Sequence, residues 1–122
     1  MALKVTGFAA SSLPYKIITE SASTNTLNSN VTGTSGVLHS MDLDNNANGM
    51  VYVKIHMGVG GTLAGAEDIK IGLPTGNSGQ KRLVMPAGIA FSEFTFYTTT
   101  TSAESASPAA PSSAATHSFT TT

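Results

Sequence analysis

Apolar and polar residues alternate with a period of two in three stretches of the chain, which is the pattern of a half-buried β-strand. In the clearest stretch, Val51–Met57, every odd-numbered residue is apolar, and Tyr52, Lys54 and His56 would face the other way. The alternation therefore predicts three strands in the middle of the chain. The other two are Val37–Asp44, with Val37, His39, Met41 and Leu43 on one face, and Asp68–Leu73, with Ile69, Ile71 and Leu73 on one face.

Further strands are expected on both sides of this region. Tyr15–Glu20 is rich in residues that favour strands, and Leu83–Met85 is a short apolar run that should end at the following Pro-Ala-Gly. Ile89–Thr99 is a longer run in which the parity of the apolar positions changes at Ser92–Glu93, so we expect a bulge or a change of sheet there. Thr116–Thr122 is a possible last strand.

The fold class follows from these runs. No 11-residue window has apolar residues at the spacing of a helix, whereas about seven or eight short strands separated by turn signals are typical of a β-sandwich or jelly roll. We therefore predict an all-β protein, a single β-sandwich or jelly roll with extended terminal arms. The expected parts are an N-terminal arm at 1–14, the sandwich at 15–101, and a Ser/Thr/Ala/Pro-rich C-terminal segment at 102–122 that contains the possible last strand. Residues 102–115 have the low-complexity composition of a linker.

Composition adds that the chain is poor in charge. Charged residues make up 11% of its 122 residues, and the formal net charge is −1, whereas roughly 25% is usual in soluble domains. Such a surface resists self-association poorly, so we expect the protein to work in an assembly, the alternative being a weakly charged monomer. Because there is no basic stripe and no apolar run of the length of a membrane helix, neither nucleic acid nor a membrane is expected as a partner.

Candidate chemistry is sparse. The chain has no cysteine, which excludes disulfides and zinc–thiolate sites. The three histidines, His39, His56 and His117, do not have the spacing of a metal centre, and no two carboxylates are singled out as a pair for acid–base catalysis. We therefore expect a non-enzymatic protein with no catalytic residue, no metal site and no cofactor.

One motif fits the opening of a calcium-binding loop, since Asp44–Gly49 matches D-x-[DN]-x-[DN]-G. A loop of EF-hand type has a bidentate Glu at its twelfth position and lies between helices, whereas the twelfth residue here is Ile55 and the flanking runs are predicted strands. Asn and Gly also favour the turns of β-hairpins. We therefore predict a hairpin turn at Asp44–Gly49, and a weak calcium site at Asp42 and Asp44 stays open.

Two segments resemble small structural proteins of tailed bacteriophages, including cyanophages. "SGVLHSMDLDNNANGMVYVKIHMG" (35–58) is similar to a family pattern in which a strand leads into D-N-x-x-N and then into a strand like V-Y-V-K-I. "LVMPAGIAFSEFTFYTTTT" (83–101) is similar to the pattern P-x-G-I-x-F-S-x-x-F followed by a Thr/Ala-rich stretch. The two segments have the expected order and separation and cover roughly a third of the chain, while the region between them matches the pattern least.

The resemblance implies a non-enzymatic virion protein, in the first place a capsid decoration (cement) protein on the outer shell. It would be made in the host cytoplasm, form a homo-oligomer with a trimer favoured, and bind the major capsid protein or other virion proteins. The terminal segments would lie across neighbouring subunits. The apolar residues expected at those contacts are Leu3, Val5, Phe8 and Phe119, and packing within the chain's own sheet is the alternative for each of them.

Two other functions stay open. One is a tail, baseplate or fibre-attachment component of the virion, which sequence separates poorly from a decoration protein. The other is a carbohydrate-binding β-sandwich for host contact. That function calls for exposed aromatic residues, whereas the chain has no tryptophan and three tyrosines.

Overall fold

The computed structural model describes residues 2–7 and 15–122. Within these residues the protein is all-β, as predicted, with eight strands and one 3-10 turn. No helix in the described residues is long and apolar enough to cross a membrane. The strands are β1 (Leu3–Gly7), β2 (Lys16–Ser23), β3 (Gly36–Asp44), β4 (Val51–His56), β5 (Ile69–Leu73), β6 (Gln80–Phe91), β7 (Thr95–Thr99) and β8 (Ala115–Thr121), and the 3-10 turn is Gly76–Gly79.

The strands form two antiparallel sheets that enclose one core. The larger sheet has five strands in the order β1-β2-β8-β3-β6, and the smaller sheet has three in the order β5-β4-β7. Residues 24–31 run along the free side of β7. Within this segment, Asn28 forms a β-bridge with Phe96 through two backbone hydrogen bonds. The fold is therefore a β-sandwich, in which the smaller sheet gains a short extension from the chain that leaves β2.

The core is built from alternate residues of both sheets. One row across the inner face of the larger sheet runs Val5–Ile18–Phe119–Met41–Leu83, as the strand registers place these residues side by side. Burial is complete or nearly so for the three central members of this row, and it decreases at both ends. The core therefore lies under the middle of the larger sheet, beneath β2, β8 and β3.

Aromatic rings fill the centre of this core. Phe119 of β8 lies 5.0 Å from Phe94 and 4.8 Å from Phe96, measured between ring centroids. Phe96 belongs to β7 of the smaller sheet and Phe94 directly precedes that strand, whereas Phe91 is the last residue of β6 in the larger sheet. The predicted change of sheet at Ser92–Glu93 is thus confirmed, because the chain crosses between the layers there and its apolar side chains must change parity to keep facing inward.

The predicted end of a strand at Pro86–Gly88 is wrong, since β6 continues through it with a bulge. Between Val84 and Ile89 the chain advances five positions, while the partner strand β3 advances two, from Leu38 to Ser40. Gly88 has a φ of +74°, which favours glycine. A Cβ at Gly88 would also collide with the Val37 side chain. Pro86 and Gly88 do interrupt the regular pairing, but they form a bulge of extra residues within the edge strand β6 and do not end it.

The predicted hairpin at Asp44–Gly49 is also wrong. β3 belongs to the larger sheet and β4 to the smaller one, so the two strands are not paired. The loop is instead a crossover between layers, fixed by Asn45. The Asn45 side chain donates to the carbonyl oxygens of Gly49 and Leu73, both at 3.0 Å, and accepts the Ala47 N–H at 2.8 Å.

Residues 102–114 are held by contacts within the same chain, although their composition is typical of a linker: residues 102–109 contact the outer face of the smaller sheet, and residues 112–114 contact the 46–48 loop. Lys54 donates to the Ala103 carbonyl at 2.8 Å, and the Ala109 carbonyl accepts from the Thr99 hydroxyl at 2.7 Å. Lys54 is fully buried as a result. The chain then enters β8, which lies between β2 and β3, so the C-terminal segment is an integral part of the sandwich.

Candidate assembly surface

The four expected contact residues lie in different environments. Leu3 is partly buried and packs against the core, whereas Val5 is 41% exposed. Phe119 is 0% exposed, in the aromatic centre of the core, so it has no surface to offer a partner in this fold. Phe8 lies outside the described residues. The structure therefore brings Leu3 and Val5 together on β1 and separates them from Phe119 by β2.

β1 is an edge strand of the described part of the larger sheet. Four of its five residues are exposed. Val5 is among them, although its register partner Ile18 on the same inner face is fully buried. The smaller sheet therefore does not fully cover the inner face of β1. A strand in this position offers unpaired backbone groups and an apolar side chain to another chain.

The opposite edge of the larger sheet is β6, which carries features that hinder pairing with another chain. Lys81 and Arg82 are exposed, Pro86 cannot donate a backbone hydrogen bond, and the bulge distorts the strand. Val84 and Ile89 are nevertheless 64% and 38% exposed. Of the two edges, β1 has the more regular backbone for pairing with another strand, while β6 exposes two apolar side chains, Val84 and Ile89.

The outer face of the larger sheet is polar. One row across it runs Lys4–Thr19–Ser118–Asp42–Arg82, and much of this row lines a shallow depression of about 430 Å³. The Asp42 carboxylate accepts a hydrogen bond from the Arg82 guanidinium at 2.6 Å. This hydrogen bond and the charge of Asp42 raise the pKa of Arg82. Since both side chains are well exposed, the pair adds little stability and remains available to a polar partner.

One carboxylate oxygen of Asp42 and one of Asp44 accept hydrogen bonds within the chain. Asp42 is paired with Arg82, and Asp44 accepts a weak hydrogen bond from Gln80 at 3.4 Å. Asn46 donates to the Ala114 carbonyl and to the Thr116 hydroxyl. The residues that the structure describes contain no group of three or more His, Asp or Glu side chains placed to hold a metal ion.

The three histidines do not come together. His39 lies at the bulge of β3, with its ring 5.4 Å from that of Tyr15 in an edge-on arrangement. His56 ends β4 and is stacked on Tyr97 at 6.3 Å. The pKa of Tyr97 is raised by burial and by the charges of Glu67 and Glu104. His117 faces the core from β8.

A buried polar chain crosses the sandwich at His117. The Nε2 atom of His117 lies 2.9 Å from the Thr98 hydroxyl, which lies 2.8 Å from the Ser23 hydroxyl. Glu20 is the register neighbour of His117 on β2. All four side chains are at most 1% exposed, and burial lowers the pKa of His117 to about 4. An acid, an imidazole and two hydroxyls are thus near one another, and both hydroxyl side chains are fully buried.

Sequence reasoning missed this polar chain. The signal for it was the alternation along the strands, because Glu20 and His117 are an even number of residues from Ile18 and Phe119 and therefore share their inward face.

No protein-family model matches the chain, and no curated protein or solved structure matches it either.

Proposed function

We propose that this protein is a non-enzymatic structural component of a tailed-phage virion, and specifically a capsid decoration protein that binds the major capsid protein on the outer shell. The resemblance of residues 35–58 and 83–101 to virion proteins supports this proposal. The observation that carries it is the edge strand β1, which combines an incompletely covered inner face with the exposed Val5. The low charge of the chain agrees with a surface that is covered in an assembly.

The mechanism in this proposal is mechanical. A capsid subunit pairs a strand with β1, so backbone hydrogen bonds give affinity and Val5 adds buried apolar area. The sandwich itself stays rigid, because its core and the segment 102–114 are held by contacts within the chain. Many copies, arranged as homo-oligomers with a trimer favoured, bridge neighbouring capsid subunits and resist the outward pressure of packaged DNA.

Quantitative mass spectrometry of purified particles tests the proposal by comparing the copy number of this chain with that of the major capsid protein. A decoration protein should be present at a ratio near one to one or one to three. A ratio near one to a hundred would move the protein to the tail or baseplate, which is the second candidate. Absence from the particle would remove a virion function altogether.

A carbohydrate-binding function is the third candidate, favoured by the depression on the polar outer face of the larger sheet. Asp42 and Arg82 lie there among hydroxyl side chains, a set that can hydrogen-bond to sugar hydroxyls. The test is glycan-array binding by the wild-type protein and by Arg82→Ala. The decoration proposal expects no glycan signal from either protein, and a signal lost in Arg82→Ala would favour the third candidate.

A further inference from the structure

A second pocket, of about 410 Å³, lies at the side of the sandwich where the chain leaves the larger sheet and joins the edge of β7. It lies next to β1, because Leu3 of β1 is the register partner of Glu20. Its lining comes from the end of β2 and from the bent segment 24–28 that follows this strand. The lining residues are Glu20, Ala22, Thr24, Thr26 and Asn28.

Two oxygen acceptors of this lining lack donors. Glu20 accepts the Ala22 N–H through Oε1 at 2.9 Å, but its Oε2 has no hydrogen-bond partner among the described residues, and the same holds for Oδ1 of Asn28. Both residues are buried, at 0% and 3% exposure. The ion pairs found in the described part of the chain, Lys70–Glu67 and Arg82–Asp42, do not include Glu20. A buried carboxylate with neither counter-charge nor full hydrogen bonding is costly unless a further group binds it.

The chemistry of the lining selects the kind of group. Glu20 and Asn28 offer acceptor oxygens, so the missing ligand must bring N–H donors or positive charge. A divalent metal ion prefers several charged oxygens, but the pocket has one carboxylate and a volume far larger than an ion needs. Ala22 and the threonine methyl groups can instead line the methylene stem of a long basic side chain.

We propose that this pocket binds the ammonium or guanidinium group of a Lys or Arg side chain carried by an extended segment of a partner protein that runs along β1. The proposal rests on the proposed function, since it names the chemistry that the virion partner presents at this edge. Pairing along β1 gives the partner its position, and the basic side chain provides the donors that Glu20 and Asn28 lack. A charged donor to a carboxylate is the stronger kind of hydrogen bond, so it adds specificity to the edge contact.

The test is an NMR titration of the isolated, isotope-labelled protein with three small probes. The probes are N-acetyl-arginine methylamide, N-acetyl-lysine methylamide and the uncharged N-acetyl-norleucine methylamide. We expect saturable shifts of the amides of Glu20, Ala22 and Asn28 with at least one of the two basic probes and not with the norleucine probe. Glu20→Gln should weaken that binding by about tenfold or more, because it removes the charge from the acceptor.

Two controls keep the result interpretable. Glu104→Gln removes an exposed carboxylate elsewhere and should leave probe binding unchanged. If Glu20→Gln fails to give a folded spectrum, Asn28→Ala removes the second acceptor and should weaken binding in the same direction. The proposal is overturned if the basic probes give no saturable shifts at these amides, if the norleucine probe gives the same shifts, or if neither variant weakens binding. Calcium ions that compete with the basic probes at these amides would also overturn it, in favour of a metal site.

The outcome is separable from that of the proposed function. If the protein is present in particles but its pocket does not bind the basic probes, this inference alone is rejected. Probe binding by a protein that is absent from particles would reject the virion function and leave a pocket for basic groups whose partner lies elsewhere.

Discussion

Burial makes His117 a source of acid sensitivity at the scale of a single residue. Its pKa in the folded state is lowered from 6.5 to about 4, chiefly by desolvation. Between pH 6.5 and 4 the His117 imidazole is protonated in the unfolded chain and neutral in the folded protein. The free energy of unfolding should therefore be unaffected by this group above pH 6.5 and fall by about 3 kcal/mol as the pH drops towards 4.

Urea unfolding at several pH values between 7.5 and 4 measures this loss, with His117→Gln as the reference. The variant lacks the titrating ring, so its stability should fall less steeply over the same range, while the carboxylates contribute equally to both proteins. Equal slopes for the two proteins would contradict the assignment.

The different environments of Phe119 and Val5 predict different costs of truncation. Phe119→Ala removes a ring that is packed between Phe94 and Phe96 and should lower the free energy of unfolding by about 3–5 kcal/mol. Val5→Ala, on an exposed edge, should cost less than about 1 kcal/mol. Denaturant titration of both variants checks this, and similar costs would show that Val5 is packed more tightly than its exposure indicates.

At this scale the sequence predicted the apolar core well and the polar interior poorly. Val51, Val53 and Ile55 are all fully buried, as the alternation required. Lys54 was placed on the opposite, polar face of the same strand, yet it is buried because residues 102–109 cover that face. That contact joins positions 49 residues apart, and a local pattern holds no information about it.

The bulge of β6 gives a prediction at the scale of one element. Gly88→Ala places a side chain on a residue with a φ of +74° and against Val37, whereas Gly33→Ala meets a φ of +68° with no atom within 4 Å. The conformational cost alone is about 1–2 kcal/mol, so Gly33→Ala should lose roughly that amount and Gly88→Ala clearly more. Thermal or denaturant unfolding measures the difference, and equal losses would mean that the bulge yields to the new methyl group.

The position of β8 predicts the order of amide exchange. β8 is hydrogen-bonded on both sides, whereas β1 is paired on one side among residues 2–7 and 15–122. In the isolated protein, amides of residues 115–121 should therefore exchange far more slowly than those of residues 3–7. Hydrogen exchange followed by NMR decides this. Rapid exchange throughout 102–122 would mean that the C-terminal segment becomes ordered only on assembly.

Element types were predictable from sequence, but strand pairing was not. The loop Asp44–Gly49 has the composition of a turn, but it is a bent crossover between the two sheets. A turn signal does not state whether its flanking strands pair. The deciding contact is the bond from Asn45 to the Leu73 carbonyl, at the end of β5 in the other sheet. The parity change at Ser92–Glu93 was more informative, because facing one core from two sheets forces such a change.

For the whole molecule, the sparse charge predicts a stability that barely responds to salt. The two ion pairs in the part of the chain that is described both involve an exposed partner, and exposed pairs contribute roughly 0–1 kcal/mol each and are screened by salt. The free energy of unfolding at pH 7 should change by less than about 1 kcal/mol between low and moderate sodium chloride concentrations. A larger loss would reveal electrostatic stabilisation beyond these pairs.

The whole architecture was predictable as a class, a sandwich of seven or eight strands, because alternation and turn spacing are local properties that add up. The unequal size of the two sheets could not be predicted from the sequence, and neither could the incompletely covered edge at β1 that results from it. Both depend on which strand pairs with which. Leu3 and Val5 were predicted as contact residues from the sequence and lie on β1, whereas the pocket at Glu20 and Asn28 required the crossing of residues 24–31 to the other layer.

The central place of β8 also has a consequence for biosynthesis. β2 and β3 are translated first, but the strand that lies between them begins only at residue 115, after the strands of both layers other than β8 have been translated. Until then each has an open side next to unfinished core, and pairing over so long a sequence separation is slow. A ribosome that stalls before residue 115 therefore holds a nascent chain in which β2 and β3 each lack one partner strand. Such an intermediate associates with its neighbours or requires a chaperone.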